Sequence, residues 1–278
     1  NKLNLSPRNH EKILELVQKP HGIMLVVGPT GSGKTTTLHA VLGHINTPEK
    51  KIWTAEDPVE ITQAGLQQVQ VSAKIGFTFA NALRAFLRAD PDIILIGEMR
   101  DKETAHAGIE ASLTGHLVFS TLHTNSAPET ISRLLDLGLD PVNFSDACVG
   151  ILAQRLIRTI CPNCKEKYPA TETDIAFINR QYGEEYVDEL NLSEPLMLFR
   201  GKGRDECGDT GYRGRTGVHE LLAMTGELRS LVYKEAPVHD MKAQAMKDGM
   251  RTLTQDGILK VLKGDTDIPQ IQIISGTS

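Results

Sequence analysis

"IMLVVGPTGSGKTTT", residues 23–37, is a short apolar run followed at once by a glycine-rich turn, a lysine and three threonines. The apolar run reads as a strand, and the segment from Lys34 onward, "KTTTLHAVLGHI", has helical spacing. Between them "GPTGSGKT" fits G-x-x-x-x-G-K-[ST]. Gly28, Gly31 and Gly33 let the backbone turn tightly, so that its N–H groups aim at phosphate oxygens, and the helix start adds its positive end. In such a loop Lys34 reaches the β- and γ-phosphates and the Thr35 hydroxyl ligates Mg²⁺. The candidate nucleotide-binding residues are therefore Pro29, Thr30, Gly31, Ser32, Gly33, Lys34, Thr35 and Thr36. A chance glycine-rich turn would lack the flanking strand and helix. The stretch is a P-loop.

Working outward, "KIWTAED" (51–57), "DIILIGE" (92–98) and "LVFSTLH" (117–123) are further strand-like runs. "TFANALRAFLRAD" and "KETAHAGIEASLTG" lie between them with helical periodicity. Strands alternating with helices predict crossover connections and a mostly parallel sheet, an α/β core. Helices are predicted over 126–138 and over 143–160. Residues 161–217 are rich in Pro, Gly and charge, and helical patterning is predicted again from "HELLAMTGELRSLV" to the end. The expected organisation is a core over 1–160, a small inserted subdomain over 161–217 and a helical C-terminal part over 218–278.

A P-loop core needs carboxylates at the carboxyl ends of neighbouring strands, to position metal or polarise water. "DPDIILIGEMRD" (90–101) offers Glu98 there, and "TAEDPVE" (54–60) offers Glu56. Asp57 either shares that role or caps a turn before Pro58. "TGHLVFSTLHTN" (114–125) brackets one strand with two histidines. His123 ends the strand, as Glu98 does, and suits a γ-phosphate contact. His116 at the other end fixes a turn or faces a neighbouring subunit.

The 278 residues are 40% apolar and 23% charged, enough for a sizeable core, and the formal net charge of -5 leans away from nucleic-acid binding. No apolar run approaches the length of a membrane span, and "NKLNLSPRNH" has no signal-peptide h-region and reads as a piece of a longer chain. The four cysteines, without an export signal, point to the cytoplasm and to metal or redox chemistry. Cys161 and Cys164 have the spacing of half a zinc knuckle, with Cys207 as a third ligand. No fourth ligand is evident, Asp205 and Glu206 being the nearest candidates, and reduced thiols in a metal-free loop remain the alternative. Cys148 reads as a small core residue within a helix.

With "GPTGSGKTTTL", "EDPVE", "DPDIILIGEMRD", "SLTGHLVFSTLHTN" and "GYRGRTGVHELL" in this order, the chain resembles the secretion ATPase family over essentially its whole length. That family comprises the motors of type II secretion and type IV pilus assembly. The resemblance implies a RecA-like P-loop core that binds ATP and Mg²⁺. It casts "TAEDPVE" as an aspartate box in which Glu56 helps order metal and water. It casts "IILIGEMRD" as an atypical Walker B with Glu98 as general base, and "TGHLVFSTLH" as a histidine box containing His116 and His123. Arg100 falls in the family's G-E-[IM]-R-D stretch, without an assigned role. It further implies a homo-hexamer at the cytoplasmic face of the inner membrane, driving a platform protein and through it a pilin or pseudopilin filament. One departure stands out. The family's second CxxC reads "RDEC" here, with Arg204 where a cysteine is expected, which bears on zinc. The resemblance also implies a further N-terminal domain that supplies arginines to the γ-phosphate, expected to lie outside this stretch, so binding of nucleotide with slow hydrolysis is expected, since such an arginine is worth a factor of about 10³ to 10⁵.

A retraction or conjugation-type motor shares the P-loop and histidine box, but the CxxC subdomain favours the assembly side. A RecA-like nucleic-acid-binding protein would need a groove with stacking rings, and aromatics are only 5%. A non-catalytic nucleotide switch would lack Glu56 or Glu98.

Overall fold

The computed structural model describes residues 2–276. They divide into two compact units. The larger comprises Pro7–Gln154 and Glu220–Met250; the smaller comprises the chain up to Ser6, Arg155–His219 and the chain from Arg251 onward. In chain order the larger unit contains α1 (Pro7–Leu16), β1 (Gly22–Val27), α2 (Lys34–Ile45), β2 (Ile52–Glu56), β3 (Leu66–Gln70) and α3 (Phe79–Arg88). It continues with β4 (Ile93–Ile96), α4 (Lys102–Leu113), β5 (Leu117–Leu122), α5 (Ala127–Asp136), α6 (Pro141–Ala147) and the first half of β6 (Cys148–Ile160). The smaller unit contains β7 (Lys165–Pro169), α7 (Glu172–Tyr182), β8 (Met197–Gly201) and most of β9 (Tyr212–Ala223). The chain returns to the larger unit for α8 (Gly226–Tyr233) and α9 (Val238–Lys247), and to the smaller for α10 (Leu253–Lys263) and α11 (Ile268–Ser275).

Seven strands form one sheet in the order β3-β2-β4-β5-β1-β6-β9. The pairings of β1 with β5 and β6, of β2 with β3 and β4, and of β4 with β5 are all parallel. Every residue of β1, β4 and β5 is buried. Both faces of a parallel sheet are covered by crossover helices, which explains why these strands are unbroken apolar runs without alternation. The helices are set by their caps. Thr78, Asp101 and Ser126 each accept from the backbone N–H three residues on, opening α3, α4 and α5. Because β1, β2, β4 and β5 run in one direction, Glu56 at the end of β2 and Gly28, Glu98 and His123 just after β1, β4 and β5 all lie at the same edge of the sheet.

Two readings of the sequence need correction. Residues 148–160 are not helix: after the two turns of α6 they form β6, with Ile23 opposite Cys148 and Val27 opposite Ala153. A buried apolar run has no period to distinguish strand from helix, and a free edge on β1 decided it. Residues 218–223, expected as helix, are the buried end of β9, and helix resumes only behind the Thr225 cap. The stretch 161–217, whose composition offers no clear periodicity, holds α7 with a Thr171–Asp174 capping box and the antiparallel pair β7–β8. The two units interleave along the chain, with boundaries inside β6 and β9 as well as before Pro7 and after Met250. No helix among the described residues is long and apolar enough to cross a membrane.

Candidate functional site

The P-loop fills the turn between β1 and α2. A Cβ at Gly28 would lie 2.4 Å from the Gln154 carbonyl oxygen, so the loop passes β6 closer than any side chain allows. Gly33 caps α2 at φ 88°, in the left-handed region. Gln154, buried on β6, pins the loop from below. Its Nε2 donates to the Ser32 carbonyl (2.7 Å), and its Oε1 accepts from Thr37 Oγ1 (2.6 Å). Sequence reasoning missed Gln154, since 122 residues separate it from Ser32. Lys34 Nζ donates to the carbonyls of Gly28 (2.7 Å) and Pro29 (3.1 Å). Its pKa is lowered by burial, with Glu98 acting the other way. Thr35 is half-buried at the head of α2, and Pro29, Thr30, Gly31 and Thr36 are exposed.

The strand-end residues converge on that lysine. His123 Nδ1 lies 3.3 Å from Lys34 Nζ, and its Nε2 lies 3.1 Å from Glu98 Oε1. With Lys34 donating to Nδ1, the tautomer that satisfies both contacts carries its hydrogen on Nε2 and donates it to the carboxylate. Glu98 Oε2 accepts from Arg100 Nε (2.7 Å), which raises the Arg100 pKa further. Arg100 also lies over the Phe79 ring and 3.8 Å from Asp57 Oδ2. Lys34, His123, Glu98, Arg100 and Asp57 thus form one polar chain at the loop. Arg100 enters it as the residue that occupies the second Glu98 oxygen.

Glu56 and His116 lie apart from this chain. Glu56 is 5% exposed, and its oxygens face His39, Thr54 and Gln68. His116 sits at the amino end of β5, where its Nδ1 donates to the Ala111 carbonyl (2.9 Å) and closes the turn after α4.

In the smaller unit the thiols of Cys161, Cys164 and Cys207 all lie within 4.8 Å of one another. The 3.9 Å between the sulfurs of Cys164 and Cys207 suits two ligands on one tetrahedral zinc, for which bonds of about 2.3 Å set a separation near 3.8 Å. The Arg204 N–H points at Cys207 Sγ (3.3 Å) and lowers its pKa. Asp205 and Glu206 are exposed and outside the cluster. Cys148 is buried at the start of β6, its thiol pushed up to about 12 by burial. It is a core residue, in a strand and not in the expected helix.

The profile of the Type II/IV secretion system protein family matches residues 1–273. Type II secretion system protein E of Pseudomonas aeruginosa is 46% identical over 269 residues, covering 97% of this chain and 51% of that protein. Type IV pilus assembly ATPase PilB of Thermus thermophilus is 44% identical over 274 residues, covering 97% of this chain and 29% of that protein. Among solved structures, the pilus retraction motor PilT with bound ADP matches 98% of this chain and 65% of its own, with a TM-score of 0.69 and 28% identity. The chain therefore spans about half, or less, of the length of these curated relatives.

Proposed function

The chain belongs to the Type II/IV secretion system protein family, and from that premise we propose that it is the ATP-hydrolysing motor part of a type II secretion or type IV pilus assembly machine. The observation that carries the reading is the contact chain Lys34–His123–Glu98 at the P-loop. On nucleotide binding, the Lys34 ammonium exchanges the carbonyls of Gly28 and Pro29 for β- and γ-phosphate oxygens. Residues 29–36 would wrap the phosphates, and the Thr35 hydroxyl would hold Mg²⁺, whose charge would offset theirs. Glu98 accepts the proton of the attacking water. His123, between the lysine and that carboxylate, reports the γ-phosphate to both. The relatives' names support secretion or pilus assembly as the work done.

The proposal extends to a homo-hexamer peripheral to the inner membrane, acting on a platform protein there, with Cys161, Cys164 and Cys207 as zinc ligands in the smaller unit. The three-cysteine cluster favours the assembly side over retraction. The test is ATP turnover and nucleotide binding by the native chain beside Glu98→Gln. Turnover lost, with ATP still bound, is the expected outcome. Unchanged turnover in the glutamine variant would remove Glu98 from the mechanism, and no nucleotide binding at all would remove the motor.

A further inference from the structure

His39 stands one turn beyond Thr35 on α2, and no motif of the P-loop requires a histidine there. Yet it is 6% exposed and both ring nitrogens are engaged. Nε2 lies 3.1 Å from Glu56 Oε1 and Nδ1 lies 2.9 Å from Gln63 Oε1. The other Glu56 oxygen accepts from Thr54 Oγ1 (2.8 Å) and from Gln68 Nε2 (3.0 Å). Gln68 in turn donates to the Ile61 carbonyl (2.8 Å) and accepts from the Gln63 N–H (2.9 Å). The network therefore joins the P-loop helix, the carboxyl end of β2 and the 57–65 loop. Glu56 Oε2 accepts two hydrogen bonds and is filled, whereas Oε1 accepts one and keeps a lone pair for a water. A carboxylate held in this way has one orientation.

We propose that His39 is a positioning residue, which fixes the Glu56 carboxylate for ATP turnover at the P-loop that opens its own helix. The inference rests on the reading of Glu56 as part of the hydrolytic site. Misplacing a group that orders water in the transition state lowers kcat while leaving ground-state binding intact. A histidine that only stabilised the fold would instead alter folding and leave kcat per folded molecule alone.

The experiment uses the chain as it stands, with MgATP as substrate. His39→Leu is expected to lower kcat about tenfold or more, with KM and nucleotide affinity within about twofold of native. His39→Gln, whose amide N–H can still reach Glu56, is expected to recover most of that loss. In a Glu56→Gln background, His39→Leu should cost nothing further, because the group it positions is gone. Unchanged kcat in His39→Leu, or an equal loss in both backgrounds, overturns the proposal; so does a raised KM at unchanged kcat. Should the leucine variant not fold, His39→Gln against His39→Asn decides. The shorter asparagine cannot span to Glu56, so equal turnover in these two also overturns it. Glu56→Gln separates the two readings: if it lowers turnover while His39→Leu does not, only the role of His39 falls, whereas unchanged turnover in Glu56→Gln removes Glu56 from the hydrolytic site and the positioning role with it. If the native chain turns over no ATP, both fall together.

Discussion

Lys34, Glu98 and His123 were legible one by one, because each stands next to a strand or helix boundary that the sequence marks. Their contacts were not, since the distances between them depend on strand order. Glu56 shows the limit more sharply. Its place at a strand end predicts a role at the phosphates, while its three donors belong to His39, Thr54 and Gln68. Arg204 is the residue-scale departure with a direct chemical consequence. Three thiols leave one zinc position to an outside ligand, whereas structural zinc sites normally close with four. The native chain is expected to bind one zinc per chain in a competitive chelator titration, and Cys207→Ser to lose it. Arg204→Cys should tighten the affinity by about tenfold or more by completing the set. Zinc binding unchanged by Cys207→Ser would exclude the cluster.

At the scale of elements, β6 carries the main lesson. Its apolar run fits helix or strand equally, and Gly150 is the residue that tertiary packing needs. A Cβ there would meet Leu16 Cδ1 at 2.7 Å and the Leu222 carbonyl at 3.0 Å. Gly150→Ala is therefore expected to destabilise by about 1–3 kcal/mol, read as a lower urea midpoint at unchanged slope. A midpoint equal to native would mean that α1 and β9 yield freely there. Strand β3, "LQQVQ", escaped notice for the opposite reason. It is a polar edge strand with only Leu66 buried, so it shows neither alternation nor an apolar run.

For the molecule as a whole, buried titratable groups predict a stability optimum in pH. Burial, together with nearby Lys260, lowers His219 to about 3. Below about pH 6.5 the unfolded chain therefore takes up a proton that the folded chain refuses, and stability falls toward acid until about pH 3. Its neighbour Asp256, raised by burial, opposes this at lower pH, held by the Lys260 ammonium at 2.7 Å. His39 has the other sign. Its hydrogen bond to Glu56 raises it, with Glu60 adding charge, so its contribution is complete below about pH 6.5 and lost as pH rises through the higher folded value. Burial alone would raise Glu56, but its donors hold it below the usual carboxylate range, so its contribution is lost only in acid. Urea unfolding across pH should show greatest stability near about pH 6.5. His219→Gln should flatten the acid limb and His39→Gln the alkaline limb. Limbs that keep their slopes in these variants would refute the assignment.

By itself the sequence determined the P-loop, the core strands flanking it and the carboxylates and histidines at their ends. Each of these is a local matter of turn geometry, apolar run or strand boundary, written in consecutive residues. Only the tertiary structure decided that residues 148–160 are strand, that Gln154 carries the phosphate loop and that Glu56 answers to His39. Those outcomes depend on partners far along the chain, and the free energy that selects them comes from pairing and burial that no single segment can supply.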